Sequence, residues 1–299
     1  MSDRVELIAE VGWNFEGDLD LAKRYAAAAA GAGAAAVKFQ TLTRETLMAP
    51  EVFDAEAGAW VGNPRYASFS NVGLPDAWHE PLKRCAEDEG VEFLSTPFHL
   101  DAVDLLESIG VTRYKLASGD LTFEPLQDKV GATGKPVLLS TGASRLDEVE
   151  AALARLDEAG SGPVTVLHCT ASYPPSFEEL NLRAIATLRD AFGREVGLSD
   201  HSPGVTAAIA AATLGARVIE KHVTFDRARS GPDHPFAMEM GEFAALAQSL
   251  RDLEAALGDG VKRPMPSEAP RRPRLRRGIY DPETFRPADD GIWLRPETK

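Results

Sequence analysis

Eight short apolar runs recur along the 299 residues, at Leu7 to Val11, Ala35 to Phe39, Phe93 to Ser95, Tyr114 to Ala117, Val137 to Ser140, Val164 to Cys169, Glu195 to Leu198 and Val218 to Thr224. Segments with helical periodicity lie between them, among them Leu19 to Ala32, Asp101 to Ile109, Leu146 to Ala159 and Leu180 to Phe192. Several stop at a glycine, the residue that most easily adopts the left-handed backbone of a helix C-terminus. Eight strands alternating with helices predict an α/β fold, a (β/α)8 TIM barrel, over residues 1–258. The competing architecture, an open doubly wound sheet, would carry a glycine-rich phosphate turn after its first strand. The stretch Glu10 to Gly17 has two glycines at the wrong spacing for that turn.

Two stretches exceed a minimal barrel. Thr41 to Pro75, carrying Trp60, Tyr66 and Phe69, is too long for a plain connection and reads as a lid-like excursion on the active face. Residues 259–299 begin with the proline-broken, basic run Lys262 to Arg277, which reads as an extended linker.

Charge and cysteine content narrow the function classes. Lys and Arg number 32 against 46 Asp and Glu, a net charge of −14, which argues against nonspecific nucleic-acid binding through a global positive field. Cys85 and Cys169 are far apart and fall within a helix-like and a strand-like segment, so a disulfide framework is not expected and a reducing, cytoplasmic compartment is. Met-Ser-Asp-Arg runs straight into a strand without the pattern of a signal peptide, and no run of about 18 apolar residues would cross a membrane.

Barrel enzymes act at the carboxyl ends of their strands. The polar residues there are Glu10, Lys38 with Gln40, Ser95 with Thr96, Lys115 with Ser118 and Asp120, Ser140 with Thr141, His168 with Thr170, Ser199 with Asp200 and His201, and Glu220 with His222. A lone histidine is ordinarily a satisfied core or surface imidazole. His201 and His222, however, close two consecutive strands joined by one predicted helix over Ser202 to Ala216, so they would converge. Two neutral imidazoles leave most positions of a divalent ion open to substrate oxygens and water, and zinc, manganese and other first-row metals all suit them. Two lysines with hydroxyls from several strands make a cradle for phosphate and carboxylate. Glu10, Glu220 and Asp233 would orient a ligand, accept a proton or fix an imidazole; the residues alone leave those roles open.

The motifs Ile8-Ala9-Glu10-Val11-Gly12, Val37-Lys38-Phe39-Gln40-Thr41, Ser95-Thr96-Pro97-Phe98, Lys115 to Asp120, Leu139 to Gly142, Leu167 to Thr170, Tyr173-Pro174, Ser199-Asp200-His201, Ile219 to His222 and Gly231-Pro232-Asp233-His234 follow one another in an order that resembles the sialic acid (N-acetylneuraminate) synthases. Legionaminate, pseudaminate and spore-coat polysaccharide synthases share the pattern. The resemblance implies condensation of phosphoenolpyruvate with an open-chain N-acyl amino sugar, forming a carbon–carbon bond and releasing phosphate by C–O cleavage. It implies His201 and His222 as ligands of a divalent metal, Mn2+ or Mg2+. Lys38, Thr96, Lys115, Ser118, Ser140 and Ser199 would hold phosphoenolpyruvate, and Glu10, Gln40, Tyr173 and Asp233 would face the sugar, with Glu220 also in the substrate site. It further implies a homodimer in which Arg295 reaches the partner's sugar site.

Three departures from the family pattern stand out. Phe15 replaces the histidine of an Asn-His pair, which would remove an imidazole from the mouth of the site. Ala171 replaces an asparagine or serine associated with phosphoenolpyruvate. The chain stops at Lys299, where the family continues into an antifreeze-like domain, so 259–299 is expected to hold only a remnant of it. Two other readings use the same residues: a metal-dependent sugar aldolase or isomerase, and a noncatalytic sugar-binding homologue.

Overall fold

The computed structural model describes residues 4–64, 66 and 73–294. In chain order the elements are β1 (Glu6–Glu10), α1 (Leu19–Gly31), β2 (Ala36–Thr41), α2 (Arg44–Leu47), β3 (Glu51–Asp54), β4 (Ala59–Gly62), α3 (Asp76–Asp88), β5 (Glu92–Pro97), α4 (Leu100–Ser108), β6 (Tyr114–Leu116), α5 (Glu124–Gly131), β7 (Val137–Ser140), α6 (Leu146–Glu158), β8 (Val164–Cys169), α7 (Ala184–Phe192), β9 (Val196–Asp200), α8 (Thr206–Thr213), β10 (Val218–Thr224), β11 (Met238–Glu239), α9 (Met240–Leu257), α10 (Arg272–Leu275), β12 (Gly278–Tyr280) and β13 (Ile292–Leu294).

Parallel ladders join β5, β2, β1, β10, β9, β8, β7 and β6 in that order, and β5 packs beside β6 to bring the ring round. This is the expected (β/α)8 barrel. Alternation along each strand divides its apolar residues into two cores. Ile8, Ala36, Leu94, Leu138, Leu167 and Val218 fill the barrel, while a larger cluster including Leu7, Val37, Phe93, Leu139, Val166 and Ile219 lies under the helices. The interior is tight enough that a Cβ on Gly197 would stand 2.5 Å from Leu167 Cδ2, so only glycine fits there.

The helices follow from local chemistry. Asp18 caps α1 by accepting from the backbone N–H groups of Asp20 and Leu21. Leu21, Ala22, Tyr25, Ala26 and Ala29 form its buried stripe. Two helices are shorter than their periodicity predicts. α7 starts at Ala184 because Asn181 takes a left-handed conformation (φ 42°) after a 3-10 turn at Phe177–Glu179. α8 starts at Thr206 because the Ser202 N–H is taken by the Asp200 carboxylate and Gly204 turns the chain at φ 69°.

The excursion after β2 holds α2 and the β3–β4 hairpin; Phe69 lies outside the described residues. The chain divides after Ala256 into two compact units. In the second unit the run expected to be extended contains a 3-10 turn at Ala269–Arg271 and the short α10, each with proline in its first turn, where the missing N–H costs nothing. Beyond it β12 and β13 pair antiparallel. Arg295 lies outside the described residues.

Candidate active site

A cavity of about 570 Å³ opens at the carboxyl ends of the barrel strands. Every expected site residue that the structure describes lines it: Glu10, Lys38, Gln40, Thr96, Lys115, Ser118, Ser140, Tyr173, Ser199, His201, Glu220, His222 and Asp233. The strand residues among them share one parity, and register aligns Glu10 with both Lys38 and His222, Gln40 with Thr96, and Glu220 with Ser199.

Several members of the ring of polar strand ends fall outside the cavity, most of them because they have the opposite parity. Ser95, Asp120, Thr141, His168, Thr170 and Asp200 do not line the cavity. Ser95 and His168 neighbour Thr96 and Cys169, which face in, so they face the helices. Ser95 shares Thr41 Oγ1 with His79, at 2.7 Å each, which ties α3 to β2 and β5. His168 Nε2 lies 2.7 Å from the Leu180 carbonyl. Phe15 is a further correction: it does not face the cavity mouth but packs edge-on against Phe39 and Trp78 in the helical layer, so its substitution leaves no gap in the site. Ala171 does line the cavity.

Within the cavity the charges are interlocked. Lys38 Nζ lies 2.6 Å from Glu10 Oε2 and 3.7 Å from Glu220 Oε1, and donates to Thr96 Oγ1 at 3.1 Å. Gln40 Nε2 donates to Glu10 Oε1 at 2.7 Å. Lys115 Nζ donates to Ser140 Oγ at 2.6 Å and to the Leu116 carbonyl at 3.1 Å, and among the described residues it makes no ion pair. Ser199 Oγ donates to Glu220 Oε1 at 3.3 Å, and the Gly142 N–H donates to Ser118 Oγ at 2.8 Å.

Burial sets the protonation of these groups. It penalises the charge on Lys38, but the Glu10 and Glu220 carboxylates outweigh it and hold the ammonium form above its usual range. Burial wins at Lys115, whose pKa falls despite Glu220 nearby. Glu10 is raised by burial against the pull of Lys38. At Glu220 burial is outweighed by Lys115 and Lys38, so its pKa is lowered. Burial pushes His201 down to about 4 and His222 well below its usual value, so both are neutral at physiological pH.

The two imidazoles stand with ring centroids 5.3 Å apart inside an aromatic collar, Tyr173 lying 4.4 Å from His201 and Phe236 5.0 Å from His222. His222 Nδ1 is buried without a hydrogen-bond partner, and Asp233 Oδ2 is 3.7 Å away. Two adjacent neutral rings, one with an unused ring nitrogen, suit a divalent ion. Among the described residues no set of three or more His, Cys, Asp or Glu side chains completes a ligand shell. The remaining positions would therefore fall to water and substrate oxygens.

Asp233 is carried by the loop after β10 and held by the Trp13 N–H at 3.2 Å. Gly12, at φ 54°, makes this approach possible: a Cβ there would overlap Asp233 Oδ2 and stand 3.3 Å from the His222 ring. His234 anchors the same loop, its Nδ1 lying 2.8 Å from Thr224 Oγ1 and its Nε2 3.1 Å from Glu16 Oε1.

Several lining residues escaped sequence reasoning. Cys169 could have been found by parity, since it is the register partner of Ser199. Trp13, Leu47, Met48, Phe98, Pro232 and Phe236 come from loops and the excursion, where no periodicity marks an inward side chain.

This geometry can be set beside known proteins. An uncharacterized protein of Methanocaldococcus jannaschii is 41% identical over 262 residues, covering 88% of this chain and 74% of its own length. The N,N'-diacetyllegionaminic acid synthase of Legionella pneumophila is 40% identical over 280 residues, 91% of this chain and 79% of its own. The crystal structure of N-acetylneuraminic acid synthetase from Leptospira borgpetersenii, solved with citrate, superposes with a TM-score of 0.80 at 32% identity and covers 90% of each chain. With the NeuB family model matching residues 25–262, most of the barrel, this chain belongs to the NeuB family.

Proposed function

We propose a division of labour in the cavity for the reaction of a phosphoenolpyruvate-dependent nonulosonate synthase, the condensation of phosphoenolpyruvate with an open-chain N-acyl amino sugar. Lys115, Ser118, Ser140 and Ser199, with Lys38 and Thr96 beside them, hold the donor. Glu10, Gln40, Tyr173, Asp233 and Glu220 face the acceptor. C3 of the enolpyruvate attacks the aldehyde carbon and forms the new bond, water adds at C2, and phosphate leaves with cleavage of the C2–O bond. Lys115 suits the anionic donor because its hydrogen bonds go to the neutral Ser140 hydroxyl and Leu116 carbonyl, with Glu220 near but outside ion-pair distance, so an arriving phosphate displaces no direct carboxylate contact. Leu47, Met48, Phe98 and Phe236 give the cavity an apolar wall for acyl and methyl groups.

His201 and His222 would hold a divalent ion, Mn2+ or Mg2+, which when bound supplies Lewis-acid polarisation of the aldehyde oxygen. The protein residues do the rest: the lysines and hydroxyls neutralise donor charge, and the aromatic collar keeps bulk water from the reacting carbons. The observation that carries this reading is that both lysines, four strand-derived hydroxyl or amide side chains, and two neutral imidazoles line one cavity.

On this reading residues 1–258 form the catalytic domain and 259–299 an appendage that carries Arg295 to a partner's acceptor site in a homodimer. Truncation after Gly278 then weakens dimerisation and raises the acceptor KM while sparing donor affinity; a truncated protein that stays dimeric with unchanged sugar kinetics rejects the exchange. Two free thiols, Cys85 and Cys169, fit a reducing cytoplasm. The test of the main reading is a coupled phosphate-release assay over N-acyl hexosamines and bacillosamine-type sugars. Phosphate release must require both phosphoenolpyruvate and an aldose. Turnover of the sugar without phosphoenolpyruvate indicates an aldolase or isomerase, and the absence of turnover with every pair indicates a noncatalytic binder.

A further inference from the structure

On the face of β9 and β10 turned away from the cavity lies a buried ion pair that the chemistry above does not use. Lys221 Nζ stands 2.6 Å from Asp200 Oδ2 and donates to the Ser202 carbonyl at 2.6 Å. Asp200 Oδ1 accepts from the Ser202 N–H at 2.8 Å and from its hydroxyl at 2.6 Å. Asp200 and Lys221 are also register partners in the β9–β10 ladder. The result is a closed ring of bonds whose members sit immediately before His201, immediately after it, and immediately before His222. Because side chains alternate, this ring and the two imidazoles occupy opposite faces of the same strand ends.

The imidazoles receive little direction of their own. His201 Nδ1 lies 4.0 Å from Cys169 Sγ and the ring is also touched by the Thr170 backbone, while His222 Nδ1 has no hydrogen-bond partner and lies 3.7 Å from Asp233 Oδ2. Their aim is therefore set by the backbone that carries them. Stability alone does not account for the pair, since a buried ion pair costs desolvation and can often be exchanged for apolar residues of similar volume with little loss. Side chains only 0% and 3% exposed, fully satisfied and wrapped around one histidine, match a geometric task better.

We propose that Asp200 and Lys221 are positioning residues that hold His201 and His222 aimed at one point, and so set the affinity of the site for a divalent cation. This rests on the reading of those histidines as the cation-binding pair. The test is Mn2+ binding to the full-length chain, followed by electron paramagnetic resonance and calorimetry without substrates, beside the melting temperature and the affinity for phosphoenolpyruvate.

Wild type is expected to bind Mn2+ and His201→Ala to lose binding. The double variant Asp200→Leu with Lys221→Met is expected to keep its melting temperature within a few degrees, yet bind Mn2+ at least about tenfold more weakly, which is ~1.4 kcal/mol. Its phosphoenolpyruvate affinity should stay near wild type, because all the donor residues but Ser199 lie away from β9 and β10 and Ser199 faces the cavity rather than the ion pair, and Lys221→Arg should recover most of the Mn2+ affinity. Wild-type Mn2+ affinity in the double variant overturns the proposal while leaving the cation reading intact. Equal Mn2+ binding by wild type and His201→Ala, or none by wild type, overturns the cation reading and the proposal with it. If the double variant does not fold, Ser202→Ala removes one bond to Asp200 and decides the matter: a several-fold loss of Mn2+ affinity supports the proposal, and no change overturns it.

Discussion

Replacing Gly12 by alanine tests whether the approach of Asp233 to His222 depends on a missing side chain. Two costs are expected. The first is backbone strain: at φ 54° an L-residue sits in the left-handed region, at about 1–2 kcal/mol, partly offset by ~0.4–1 kcal/mol from the stiffer unfolded chain. The second is local. The new methyl would overlap Asp233 Oδ2, so the carboxylate must swing away, losing the 3.2 Å bond from the Trp13 N–H, worth about 1 kcal/mol, together with some packing against the His222 ring. Gly17 is an internal control: it is also left-handed, at φ 71°, but a Cβ there meets nothing within 4 Å. Gly17→Ala should therefore cost roughly 1 kcal/mol and Gly12→Ala roughly 2–3, a melting-temperature difference of about 2–4 °C between them in a chain of this size. Steady-state kinetics should show the acceptor KM of Gly12→Ala raised about tenfold, with the phosphoenolpyruvate KM nearly unchanged. Equal stability losses in the two variants, with wild-type acceptor kinetics in Gly12→Ala, would refute the reasoning.

His201→Ala and His222→Ala should each abolish turnover while thermal melting stays cooperative, and chelation should do the same to wild type until Mn2+ or Mg2+ is restored; full activity in metal-free protein would contradict this. Lys115→Met should weaken phosphoenolpyruvate binding by about 10- to 100-fold through loss of a charge-assisted contact of ~1.5–3 kcal/mol, measured by calorimetry. Lys38→Met should do likewise and lower stability as well, because Glu10 loses its partner at 2.6 Å. Phe15→His, which restores the residue common in the family, should gain no activity and cost about 1–3 kcal/mol, because the imidazole would be buried against Phe39 and Trp78. A rise in kcat in that variant would place position 15 in the site after all.

Much of this molecule was legible before any coordinates. The barrel followed from eight apolar runs alternating with helical periodicity, because only a few topologies bury that many parallel strands. The converging histidines followed from their placement at the ends of two consecutive strands, and Lys38, Lys115, Ser140 and Ser199 from the rule that barrel chemistry sits at the carboxyl ends. These are properties of local pattern and chain order. What the pattern could not supply was phase. A barrel strand is buried on both faces, so its apolar residues run without a polar alternation that would mark the inner side. Sequence alone therefore places His168 rather than Cys169 in the ring, and Ser95 alongside Thr96, whereas packing turns Cys169 and Thr96 inward. Loop residues were hidden for a different reason. Trp13, Met48 and Phe236 reach the cavity, and Phe15 turns away from it, through backbone turns that contacts distant in sequence hold in place, such as His234 with Thr224 and the Trp13 N–H with Asp233. Those contacts exist only once the strands have closed, and they decide which side chains a substrate meets.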